Sequence, residues 1–232
     1  MEGRSKMIPT YILTNNHHLF LLPGFAHLWN KYCGSQVVVF GFDKPIGLPN
    51  NFYFQSLGAQ LPASKWSNGL IQMLDRIGHL HFILMLEDYW LYQSIDANRI
   101  NKLANLMNDD ILRIDLSGNR GSYKSAVEIM PGIVETPLGT PYQMSFQAAI
   151  WHKDNLRRIL RNGENPWQSE IEGSKRVDNL RVLGTRPATM HYQPVWRTQQ
   201  QRWQLDKMKT NDIEYLKGQG WLDVPEARIK AA

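Results

Sequence analysis

Cysteine is nearly absent: Cys33 is the single one in 232 residues. One thiol excludes an intrachain disulfide and a thiolate metal cluster within one chain, and it points to a reducing compartment. Apolar runs never approach the roughly 18 residues that a membrane span requires. The opening MEGRSKMIPTYILTNNHH lacks the unbroken apolar core of a secretory signal. The expectation is a cytoplasmic chain without a membrane span. Internal repeats and low-complexity tracts are missing too. Charge excess is missing from most of the chain: residues 1–152 hold 11 Lys+Arg against 11 Asp+Glu, and residues 153–232 hold 15 against 10. The whole net charge of +5 therefore lies in the C-terminal third. Such a surface is either a solvated basic face or a patch that meets an anionic partner.

What is present is 43% hydrophobic residues, enough to bury one sizeable core. IPTYILT (8–14), QVVVFGF (36–42), NFYFQSL (51–57), HFILML (81–86), ILRIDL (111–116) and YQMSFQAAIW (142–151) read as strands. Helical stretches fall between them: 18–32, interrupted by Pro23 and Gly24; 67–80, capped by Ser67, with Leu70, Ile71, Leu74 and Ile77 on one face; 96–110, capped by Asp96; and 153–161. Strands alternating with helices predict an α/β fold with an open, mostly parallel twisted sheet flanked by helices. Residues 117–141 are rich in Gly, Ser and Pro and read as a long loop. A further strand is expected near TMHYQPVW. The main domain is expected to span residues 1–195, with a basic, helical extension over 196–232.

At the end of the fourth strand stand Glu87 and Asp88. Ligands of open α/β sheets bind beyond the carboxyl ends of the strands. Carboxylates there suit Mg²⁺ or Mn²⁺, which prefer oxygen ligands and keep open positions for phosphate. Successive strand side chains diverge, so both acids reach one ion only if the chain turns. A capped turn or a surface pair is the plainer alternative.

FILMLEDYWL, preceded by a helix opening with WSNG and followed by YQMSFQAAIW and NPWQSEIEG, resembles the nucleotide-sugar-dependent glycosyltransferases of the GT-A fold. The resemblance covers roughly residues 8–195 and lies in the order of the elements. It implies that Leu86, Glu87 and Asp88 occupy the place of the acidic DxD motif that holds a metal on the donor diphosphate. The first acid of that motif is missing, which leaves Asp88 as the metal ligand with Glu87 in support. The resemblance further implies that Thr14 and Asn15 wrap the nucleotide and that Asp43 meets its base, though Asp43 is equally an ordinary turn residue. His191 would be a late metal ligand, or a structural histidine.

Asn68 and Gly69 open a helix whose free N–H groups could face a diphosphate; a simple helix cap explains them nearly as well. Asn165 and Pro166 start another helix. On it Trp167, Glu170, Ile171 and Ser174 share a face, with Glu172 roughly 200° from Glu170. Glu170 is therefore the candidate base, its pKa raised by burial beside Trp167; the alternative is an acid favoured by the helix dipole. Gln143, Ser145 and Gln147 alternate along one strand face, toward sugar hydroxyls or toward solvent. In the tail, Trp196, Trp203, Tyr215 and Trp221 are interleaved with Arg and Lys, a pattern that grips nucleic acid or docks a helix on its own domain.

The expected activity is transfer of a sugar from a nucleotide diphosphate sugar to a hydroxyl acceptor, assisted by Mn²⁺ or Mg²⁺. The acceptor would be anionic: an acidic or lipid-linked saccharide, or a hydroxymethylated base in phage DNA. A sugar-phosphate nucleotidyltransferase and a non-catalytic nucleic-acid-binding protein are the rivals. The first lacks its Gly-rich phosphate loop near the N-terminus.

Overall fold

The computed structural model describes residues 7–43 and 47–223. Three apolar runs, Thr10–Leu13 (β1), Val37–Gly41 (β2) and His81–Leu86 (β4), lie side by side in one half of a nine-stranded sheet, with Phe52–Ser56 (β3) as its edge. Every residue of β1 is buried, as strands covered on both faces require. The remaining sheet strands are Ile111–Asp115 (β6), Val127–Met130 (β7), Ile133–Thr136 (β8), Ala149–His152 (β9) and Arg181–Thr185 (β10). Their order is β3-β2-β1-β4-β9-β6-β10-β8-β7. The pairs β3-β2, β2-β1, β1-β4 and β6-β10 are parallel, whereas β9 is antiparallel to both β4 and β6. A mixed α/β fold with a mostly parallel central sheet is thus as expected.

Helices cover both faces. On one side lie Leu22–Tyr32 (α1) and Ala97–Ala104 (α3), which bring Leu28, Trp29, Ile100 and Leu103 into the core. On the other, Trp66–Arg76 (α2) and Lys153–Ile159 (α4) supply Leu70, Ile71, Leu74, Leu156 and Ile159. Pro23 does not interrupt its helix. It sits in the first turn of α1, where a missing N–H costs nothing. Gly24 beside it is required by packing, because any Cβ there would overlap the buried Trp90 indole. Asp96 caps α3 by accepting the Arg99 N–H at 3.0 Å.

Three expectations are corrected. Residues 127–136 are not loop but the hairpin β7–β8, which completes the sheet edge; Gly132, at φ 74°, makes its turn. Ser67 is not a helix cap: α2 begins at Trp66, and the fully buried Ser67 accepts the Glu164 N–H at 3.0 Å. Residues 142–148 are not strand, for β9 begins only at Ala149. The approach chain breaks from sheet geometry at Tyr142, whose φ of 56° lies in the left-handed region.

After β4 the chain turns through Glu87 and Asp88 into Tyr89–Leu91 (β5), which pairs with Tyr192–Pro194 (β11). The tail then forms a hairpin, Trp196–Arg197 (β12) with Arg202–Trp203 (β13), and a helix, Thr210–Gly218 (α6). Trp196 and Trp203 pack edge-on against Phe20, and Trp203 also lies against Trp90. Asp212 of α6 is buried between Lys31 and Tyr32 of α1, and Tyr215 stacks on His27 at 4.2 Å. Of the two readings of the tail aromatics, docking on the chain's own core is the one seen. Residues 224–232 of the expected extension lie outside the described residues.

Candidate active site

The strands β1, β2 and β4 point their carboxyl ends the same way, with Leu13 level with Phe40 and with Leu86. The loop after β1, the Asp43 turn and the acidic tip therefore share one edge. Asn16 links the first two, its Nδ2 donating to Asp43 Oδ1, and His18 links the loop to the tip, its Nδ1 lying 2.7 Å from Glu87 Oε1. The bond from His18 to Glu87 was not anticipated from the sequence. The other His18 ring nitrogen lies 3.5 Å from Thr198 Oγ1 of the tail hairpin. Asn15 Oδ1 accepts the His17 N–H at 2.9 Å. Thr14 is buried and extends the ladder, donating its N–H to Phe40 O at 2.8 Å.

Glu87 is 5% exposed and Asp88 half-buried. Burial first, and then the neighbouring Glu87 charge, push the Asp88 carboxyl up to about 7, against the opposing fields of His18 and Arg197. Two carboxylates at one turn, held by burial and mutual repulsion, are a setting that a hard cation would relieve. With phosphate and water completing its shell, such an ion needs only one or two protein carboxylates. The donors present fit Mg²⁺ or Mn²⁺ on Asp88, with Glu87 shared with His18. Among the described residues no group of three or more His, Cys, Asp or Glu is gathered for a metal. His191 is not brought to the tip. It pairs opposite Tyr92, giving its carbonyl to that N–H, while Val195 pairs with Asp88. Four strand positions separate the two, about 13 Å.

Asn68 and Gly69 sit in the first turn of α2 but face protein. Asn68 Oδ1 accepts the Gly163 N–H at 2.8 Å, and a Cβ at Gly69 would stand 3.2 Å from the Phe42 ring. The Ser67 N–H is likewise taken by Glu164 O.

A cleft of about 390 Å³ opens between β6, the 119–123 turn, the 142–147 approach and Glu170; neither Glu87 nor Asp88 lines it. The segments YQMSFQ and NPWQSEIEG both line it, whereas WSNG does not. Helix α5, Pro166–Lys175, starts from Asn165 through a reciprocal pair of bonds with Gln168. It turns Ser169 and Gly173 inward, because a Cβ at Gly173 would stand 2.8 Å from Met144 Cγ. Trp167 and Ile171 are 59% and 49% exposed, so the apolar face expected to carry Glu170 inward is instead the outer one. Glu170 itself lines the cleft and accepts the Phe146 N–H at 2.7 Å, with Ser145 as a second donor. Phe146 is held edge-on against Trp66 of α2. Burial raises the Glu170 pKa, while these hydrogen bonds and Arg113 partly oppose the rise. The direction is as expected; Trp167 is not its cause.

Ser145 and Gln147 also line the cleft, whereas Gln143 is buried and donates to Pro137 O at 2.6 Å. Gln147 lies between Tyr89, 3.4 Å away, and Tyr192, whose hydroxyl donates to it at 2.6 Å. The Tyr89 phenol is raised first by burial and then by Tyr192, Asp88, Glu170 and Glu87. One ring thus stands within the fields of both the acidic tip and Glu170. Arg113, Asp115 and Arg120 complete the floor and went unnoticed in the sequence. The available signal was ILRIDL, two charges two positions apart inside an apolar strand.

No protein-family profile matches the chain, and no curated protein matches it. Among solved structures, a UDP-glucose pyrophosphorylase complexed with UDP-glucose aligns at 10% identity and TM-score 0.50, over 91% of this chain and 100% of its own. TarS of S. aureus aligns at 12% identity and TM-score 0.50, over 79% of this chain and 35% of its own. The chain is therefore similar in fold to nucleotide-sugar enzymes.

Proposed function

We propose that the chain is a glycosyltransferase that moves a sugar from a nucleotide diphosphate sugar to a hydroxyl acceptor. The supporting observation is Glu170, a partly desolvated carboxylate lining a polar cleft, with Tyr89 within the fields of both Glu170 and the acidic tip. In this reading Thr14, Asn15 and Asp43 border the nucleotide, and Asn68 and Gly69 support that wall from behind. Asp88, with Glu87, holds Mn²⁺ or Mg²⁺; a metal there would neutralise charge on the departing diphosphate. Glu170 takes the proton of the acceptor hydroxyl as that oxygen attacks the sugar carbon. Ser145 and Gln147 offer hydrogen bonds to sugar hydroxyls. An acidic or lipid-linked saccharide and a hydroxymethylated DNA base are the acceptor classes that fit a basic C-terminal third.

Incubation with radiolabelled UDP-sugars and an acceptor panel tests the reading: label should enter an acceptor, and Glu170→Gln should abolish that while UDP still binds. A sugar-phosphate nucleotidyltransferase is the second reading, favoured by the pyrophosphorylase likeness. It predicts turnover of nucleoside triphosphate with sugar phosphate and none with an acceptor hydroxyl. The loop after β1, TNNHH, contains no glycine to cradle a triphosphate, which weighs against it.

A further inference from the structure

Two cations of the cleft have no task in that reading. Arg113 and Arg120 are 1% and 2% exposed, and both line the cleft wall. Arg113 donates through Nε to Gln143 O at 2.9 Å and through Nη2 to Tyr142 O at 3.3 Å, while its Nη1 has no acceptor. Arg120 donates through Nη1 to Pro141 O at 3.1 Å and Thr136 Oγ1 at 3.5 Å, and its Nη2 has no acceptor. Neither forms an ion pair among the described residues. Asp115 is near both, but its oxygens are occupied by the Ser117 N–H and hydroxyl and by the Arg120 N–H.

Burial first and then the Arg113 charge draw the Arg120 pKa down to about 10. Asp115, and for Arg113 also Glu170, supplies opposing charge, but among the described residues no carboxylate oxygen is hydrogen-bonded to either guanidinium, and the two like charges repel each other. Bracing the 136–143 segment explains the bonds that are made. It does not explain two like charges side by side with donors left over, since neutral side chains could brace the same carbonyls. The fold makes room for the arrangement: Gly184 of β10 lies so close under Arg120 that any Cβ would overlap the arginine's own. Each guanidinium lies over an aromatic ring, Trp151 for Arg113 and Tyr123 for Arg120, and both spare nitrogens are themselves buried. An anion in the cleft would therefore reach them by a small turn of each fork, whose planar donors match a phosphate or a carboxylate.

We propose that Arg113 and Arg120 form an oxyanion subsite, so that the acceptor entering the cleft carries a phosphate or carboxylate close to the hydroxyl that Glu170 activates. The word acceptor rests on the glycosyltransferase reading; the anion subsite does not.

Calorimetric titration of inorganic phosphate into the full chain, with and without saturating UDP, reads the subsite directly. Phosphate should bind in roughly the millimolar range, unaffected by UDP, and about tenfold more weakly in Arg120→Gln or Arg113→Gln. Glucose 6-phosphate or glucuronate should compete with it, and glucose should not. Absence of phosphate binding, or its displacement by UDP, overturns the proposal. Should a glutamine variant fail to fold, Arg120→Lys, which keeps the charge and loses the fork, and UDP competition on the unaltered chain still decide. If phosphate binds but UDP does not, the glycosyltransferase reading falls and the subsite stands. If UDP-glucuronate displaces phosphate and UDP-glucose does not, the anion belongs to the donor sugar and the acceptor assignment is wrong.

Discussion

At Asp88 and Glu170, two carboxyl groups with raised pKa values face the same demand, since each acts only when ionised. Asp88 must lose a proton before it can hold a cation. With its pKa near 7, Mn²⁺ affinity should climb as pH rises through 7 and level off above it, which a calorimetric series from pH 5.5 to about 8.5 would register. Without metal the sign for stability is the reverse of an ordinary aspartate. A pKa raised on folding favours the folded state at low pH, and that advantage is lost as pH rises through the folded value. Asp88→Asn should therefore increase stability above pH 7 by on the order of 1–3 kcal/mol, seen as a higher melting temperature, and abolish Mn²⁺-dependent stabilisation. Glu170 must be ionised to act as a base. Its burial should place the acid limb of kcat/KM above the ordinary carboxylate value of about 4.3. Glu170→Gln should lower kcat by about two to four orders of magnitude with little change in donor affinity; normal turnover would remove Glu170 from the chemistry.

At the scale of elements, glycine positions decide where α1, α5 and β10 can lie. Gly173→Ala on α5 should push Met144 and with it the segment that presents Ser145 and Phe146 to Glu170. We expect a loss of about 1–3 kcal/mol by chemical denaturation, accompanied by reduced transfer. The strands β1, β2, β4 and β6 were legible because buried parallel strands read as near-continuous apolar runs. The helix α2 was legible from its period, but its start was not. The chain uses Ser67 to receive Glu164 from a distant loop, and no local pattern announces a partner 97 residues away. The hairpin β7–β8 was illegible for a related reason: β7 is exposed throughout, so no burial pattern marks it, and Gly132 looked like one more loop glycine. In the site, the acidic tip stands out in the sequence at a strand end, but the apolar face that singled out Glu170 points outward, so its place in the cleft was reached by a wrong route. Arg113 and Asp115 could not be recognised, since their alternation in ILRIDL fits a half-solvated strand as well as a buried charged floor.

For the whole molecule, the C-terminal third serves as a clasp. The hairpin β12–β13 and the helix α6 close over α1 through Trp196, Trp203 and the buried Asp212. Burial alone would raise Asp212, but bonds from Lys31 and Tyr32 and the charges of Lys31 and Lys209 more than compensate and hold it below the usual aspartate value. Its stabilisation is present above the unfolded aspartate value and fades as pH falls through the depressed folded one. Melting curves of the unaltered chain and Asp212→Asn should therefore differ at pH 7 and converge in strong acid. The rings that might have gripped nucleic acid are used in this clasp. The sheet order has one more outcome. Because β9 is hydrogen-bonded on both sides, to β4 and to β6, its alignment is fixed twice over, and a change in the length of residues 142–148 cannot be absorbed by sliding the strand. Insertions there would have to bulge toward the cleft, so this short approach is where the cleft can change shape while the scaffold stays the same.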